Sequence, residues 1–117
     1  MLPDKTDPKT RSAEFAGLYL TAIEAGKAAL ESMLDDHQWG CGFAEVCVNG
    51  NSAFGRWAVH ERGWARSYPR GVGLSISYPL VPRQFWQSEN HKTAFAHAFA
   101  KVLRNAGIEV WVESGSD

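Results

Sequence analysis

The chain has 117 residues and a formal net charge of −1, a length that fits one domain. Hydrophobic residues make up 44% and aromatic residues 12%, enough to build a core, which argues against global disorder. No uninterrupted apolar run approaches the ~20 residues that a membrane span needs, so no membrane partner is expected.

Residues 1–10, MLPDKTDPKT, read as a flexible leader ahead of a single domain over 11–117. The leader is polar, carries two prolines and lacks the apolar stretch of a secretory signal. Asp7-Pro8 and Ser12 are candidate helix starts. From there to Leu34 the apolar positions Ala16, Tyr19, Leu20, Ile23, Leu30 and Met33 recur at helical spacing. Gly26 inside this run marks a close helix contact, because glycine otherwise only weakens a helix.

Residues 42–48 alternate as a strand, with Ala44, Val46 and Val48 on one side and Phe43, Glu45 and Cys47 on the other. Asn49-Gly50 ends it in a turn. Asn51 or Ser52 caps a short helix through Arg62, with Phe54, Trp57 and Ala58 on its apolar side and Gly63 as its stop. Residues 64–71 read as an exposed loop, and 72–78 alternate again as a strand. Ser88 opens a helix over 88–106 whose stripe is Phe95, Ala98, Phe99, Val102 and Ala106. The last strand, 108–114, sets Ile108, Val110 and Val112 against Glu109, Trp111 and Glu113.

The resulting fold class is α+β, a single domain in the order α-β-α-β-α-β. Three strands form one sheet, and the helices cover one face. Val46, Ile76, Val110, Phe95 and Phe99 are the expected core. The other sheet face carries Phe43, Glu45, Cys47, Trp111 and Glu113. Phe43 and Trp111 are costly to leave in water, so this face is a candidate homodimer interface or ligand platform.

The small net charge hides segregation. Residues 51–104 carry eight basic residues against Glu61 and Glu89, whereas both ends are acidic. Within the basic part, Arg56, Arg62, Trp64, Arg66, Tyr68 and Arg70 interleave guanidinium and aromatic groups beside the helix start at Asn51 and Ser52. Such groups suit a planar or anionic partner, and a helix start offers free N–H groups to an anion. These eight residues are the expected binding site, with the six arginines and aromatics gathered into one electropositive surface.

No catalytic device is legible, and no cofactor motif is present. His37, His60, His91 and His97 show none of the spacings of a zinc site. Cys41 and Cys47 make no disulfide framework and read as reduced, half-buried thiols, neither in a context that activates a nucleophile. Glu45, Glu109 and Glu113 would cluster for metal-dependent, nuclease-like work only if the first and last strands are neighbours.

The segments GFAEV at 42–46, GNSAFGRWAV at 50–59, Gly71-Val72 and HKTAFAHAFAKVLRNAGIEVWVESGSD at 91–117 resemble a group of short, uncharacterised phage and prophage proteins. The quoted segments lie within residues 42–117, a span of more than half the chain, and the resemblance brings no assigned activity. It implies a mobile-element setting in a bacterial cytoplasm and an accessory role, such as inhibition of host or defence machinery. The expected function is therefore binding rather than chemistry, with nucleic acid or a nucleic-acid-handling host protein as partner. The alternative is an oligomeric protein that sequesters a nucleotide-like anion, and a metal-dependent enzyme comes third.

Overall fold

Periodicity accounts for six of the seven elements among the described residues. The computed structural model describes residues 8–32, 42–66, 71–77, 80–81 and 89–116. Helix α1 spans Pro8–Glu31 and opens on proline, whose missing N–H is unneeded in a first helical turn. Residues 8–10, read as leader, thus belong to the helix. Strand β1 is Gly42–Val48, helix α2 Ala53–Arg62, strand β2 Ala65–Arg66 and strand β3 Val72–Ser75. Helix α3 runs Glu89–Asn105 and strand β4 Val110–Ser116.

Among the described residues the strands form one antiparallel sheet in the order β2-β3-β1-β4. The expected three strands become four because two residues read as loop pair with β3, Ala65 with Gly73 and Arg66 with Val72. Strands β3 and β4 flank β1, both antiparallel to it, so α3 connects two strands that β1 separates. That order makes β1 and β4 neighbours and sets Glu45 directly opposite Glu113.

One face of the sheet is apolar. Val46, Ile76 and Val110 on that face and Phe95 and Phe99 from α3 are all buried, as the alternation and the helical spacing require. Helix α1 packs on α3 along Tyr19, Ala22, Ile23, Gly26 and Leu30, positions three or four apart. Leu20 does not join the core as expected and is 59% exposed. It is turned about 100° from Tyr19, away from the seam. Ala106, placed on the α3 stripe, is exposed because it lies past the end of α3, in the turn that Gly107 closes. Gly26 meets the expectation of a close helix contact: a Cβ there would lie 2.6 Å from the Phe95 ring.

Polar ties cross the layers. The Trp57 indole N–H donates to Ser12 Oγ at 3.0 Å, so Ser12 lies inside α1 and not at its cap. The buried Lys92 ammonium donates to the Gly42 carbonyl, fixing the start of α3 to the start of β1. Arg104 donates to the Val110 carbonyl at 3.3 Å across the turn that follows α3.

Candidate functional site

The start of α2 is built from local hydrogen bonds. Ser52 Oγ accepts from the Gly55 N–H at 2.9 Å and donates to the Asn49 carbonyl at 2.7 Å. Asn49 Oδ1 accepts from the Asn51 N–H at 2.8 Å. Position 55 must be glycine, since a Cβ would lie 2.1 Å from the Asn49 carbonyl oxygen. Ser52, expected as a ligand-binding residue, is thus occupied in capping its own helix.

Helix α2 ends on Gly63, which adopts the left-handed conformation at φ 71°. The Gly63 N–H donates to the Val59 carbonyl and the Trp64 N–H to the Ala58 carbonyl, each at 3.2 Å. This stop turns the chain back on the helix and drops the next side chain onto its apolar side. Trp64, expected in an exposed loop, is therefore 3% exposed. It packs among Tyr19, Phe54 and Phe99, with ring centroids 5.7–6.5 Å away. Burial raises the Tyr19 pKa above its usual value, with the Arg62 guanidinium opposing the shift.

Arg62 is exposed, as expected, and also ties two helices together. Its guanidinium lies 5.0 Å from the centre of the Tyr19 ring and 5.5 Å from that of Trp57, a cation–π contact that joins the end of α2 to α1. Tyr68 and Arg70 lie outside the described residues, as does Cys41. Of the four of these arginines and aromatics that are described, Trp64 is withdrawn into the core, and Arg56, Arg62 and Arg66 are exposed.

Arg56 and Arg66 do share one groove. With Asn51 they line a groove of about 1030 Å³, whose other walls include Gly50, Gly71, Glu109, Trp111 and Glu113. Trp64 contributes to the lining from below. Neither Arg56 nor Arg66 forms an ion pair with a described residue; the pairs found are Lys27–Glu24 and His60–Glu61.

Three glycines shape the open sheet face next to the groove. A Cβ on Gly71 would lie 2.9 Å from Trp111 Cη2, and one on Gly73 would lie 2.6 Å from Glu45 Cδ. A Cβ on Gly115 would lie 2.9 Å from Phe43 Cε1. Each large side chain thus lies down over a neighbouring strand where no side chain stands. Strand β1 separates Trp111 on β4 from the chain at Gly71, a distance of about 9–10 Å at normal strand spacing, so the indole lies across β1. Beneath it is Cys47, paired in register with both Trp111 and Gly73. Its thiol donates to Glu45 Oε1 at 3.3 Å. The expectation of a half-buried thiol is corrected for Cys47: it is 0% exposed although it belongs to the open face.

Strands β1 and β4 are neighbours, the condition set for a carboxylate metal site. Even so, no group of three or more His, Cys, Asp or Glu among the described residues could hold a metal ion. No helix among them is long and apolar enough to cross a membrane.

Sequence reasoning placed Trp111, Glu109 and Glu113 on the open face but did not join them to the arginines. Asn49 and Val59 were missed as lining residues. The Asn49 side-chain turn was the available signal for the first. No protein-family model matches the chain, and no curated protein or solved structure matches it either. The resemblance to phage and prophage proteins rests on the motifs quoted for it.

Proposed function

We propose that this protein is a non-enzymatic, phage-type accessory protein that binds nucleic acid and so inhibits host or defence machinery in the bacterial cytoplasm. The observation that carries the reading is the groove, which Arg56, Arg66 and Trp111 all line and where neither arginine has an ion pair to a described residue. Two guanidiniums in the walls of one groove make it favourable to an anion. An indole in the wall of the groove offers a base a stacking partner. The volume is that of an organic ligand, at the upper end of the ~300–1,000 Å³ typical of binding clefts. Asn51 remains in the site as a lining residue, and Ser52 supports it by holding the helix start.

A specific observation favours the second reading, sequestration of a nucleotide-like anion. Glu109 and Glu113 line the same groove. They repel a phosphate chain on that wall, yet accept hydrogen bonds from the amino groups of a base.

The test is anisotropy of labelled oligonucleotides between 50 and 200 mM salt. Binding should weaken as salt rises, and the double variant Arg56→Ala, Arg66→Ala should bind more weakly with a salt slope shallower by about two. Its thermal midpoint should match that of the parent protein. Absence of binding to oligonucleotides and mononucleotides alike at 50 mM salt overturns the proposal. Loss of stability in the double variant reassigns the two arginines to the fold.

A further inference from the structure

We infer that the ligand is a single strand, with one base on Trp111 and a second, non-adjacent base on Phe43. This rests on the reading of the groove as a nucleic-acid site and extends it along the sheet.

Phe43 is 49% exposed, on the same sheet face as Trp111. Its ring edge lies over Gly115, the residue directly opposite in register, so the ring leans onto the sheet instead of standing away from it. Glycine at that position is what allows this, since any Cβ would meet the ring at 2.9 Å. The same device operates at Gly71 beneath Trp111. Two aromatic rings thus reach over glycines of neighbouring chain on one open face, and each can offer a base a stacking partner.

The register sets their spacing. Phe43 pairs with Gly115, and Trp111 pairs with Cys47, four residues along β1. At about 3.4 Å per residue the two positions lie roughly 13–14 Å apart along the strand. Bases stacked in a duplex are only about 3.4 Å apart along each strand, so neighbouring stacked bases cannot fill both places. An extended single strand fits, with its bases turned to the sheet and its phosphates toward Arg56 and Arg66 at the groove end. Between the two rings stand Glu45 and Glu113, directly opposite one another. Their carboxylates turn phosphate away from the sheet and face the intervening base.

The experiment uses the full chain and fluorescein-labelled single-stranded DNA of one to six nucleotides, with the duplex as comparator. Affinity should rise once the oligonucleotide is long enough to reach both rings, and the single strand should bind better than the duplex. Phe43→Ala should cut binding of the longer oligonucleotides roughly five- to 150-fold, the range for losing one stacked base, and leave mononucleotide binding unchanged. Phe43→Trp should restore it. A thermal melt of each variant confirms that the fold is intact.

Mononucleotide binding that depends on Arg56 and Arg66 but gains nothing with length, or is indifferent to Phe43, overturns this inference alone. No binding at any length removes the reading it rests on. If Phe43→Ala instead halves the sedimenting mass, the face is covered by a second copy of the chain and the single-strand assignment fails.

Discussion

The far edge of the Trp111 indole lies over Gly71, two strand positions away from its own backbone. Gly71 has φ 110°, a conformation that side chains resist, and a Cβ there would lie 2.7 Å from the Val48 carbonyl oxygen as well as 2.9 Å from the indole. Gly71→Ala should therefore destabilise the protein by about 1–3 kcal/mol and displace Trp111. Denaturant unfolding measures the first. Weaker oligonucleotide binding, with Arg56 and Arg66 untouched, measures the second. An alanine variant with unchanged stability would contradict this geometry.

Cys47 gives an independent check on the same ring. Its thiol is fully buried beneath Trp111 and hydrogen-bonded to Glu45. In a Cys41→Ser background, a thiol reagent should fail to label Cys47 in the folded protein. Trp111→Ala should make labelling fast under native conditions, while the melting curve retains one cooperative transition. Rapid labelling of the parent protein would mean that the indole does not cover β1.

Gly26 sits where α1 meets α3. Replacing it with alanine gains about 1 kcal/mol of helix propensity. The new methyl group would lie 2.6 Å from the Phe95 ring, which is fully buried and has no room to withdraw. Overpacking of this kind costs about 1–3 kcal/mol, so the net effect should be a loss of stability, larger for Gly26→Val. A stabilised alanine variant would place the two helices farther apart.

Tyr19 supplies the pH dependence. Its phenol pKa is raised in the folded chain, chiefly by burial, from an ordinary value of 10.0. The unfolded chain therefore releases this proton first as pH rises. The stability tied to the neutral phenol is complete below about pH 10 and declines as pH climbs toward the raised folded value. Urea midpoints between pH 8 and 11.5 should fall at the alkaline end, and Tyr19→Phe should flatten that fall. Equal slopes for the two proteins would show that Tyr19 ionises freely.

Much of this architecture is legible in the sequence because periodicity alone carries it. The alternation at 42–48 fixes which β1 residues enter the core, and the spacing of Phe95 and Phe99 fixes the buried side of α3. Trp64 escaped because an aromatic residue after a run of polar ones reads as loop. The Gly63-Trp64 pair, a left-handed stop followed by a large apolar residue, was the signal for its burial. The candidate site was less legible. Arg66 and Trp111 belong to strands at opposite edges of the sheet, and their meeting depends on strand order and on a glycine beneath the indole. Neither can be read from local patterning.

The position of β4 has a bearing on how the protein behaves when concentrated. Among the described residues β4 is an edge strand, and such a strand offers unpaired backbone groups to any neighbouring molecule. Its first half, Val110-Trp111-Val112, has the composition of an aggregating segment. Glu109 and Glu113 bracket that segment, and Ser114-Gly115-Ser116 follows with weak strand propensity. The opposite edge is a strand of two residues that ends on Arg66. The carboxylates that line the groove thus stand where gatekeepers against fibre growth would, and neutralising both should lower solubility before it alters the fold.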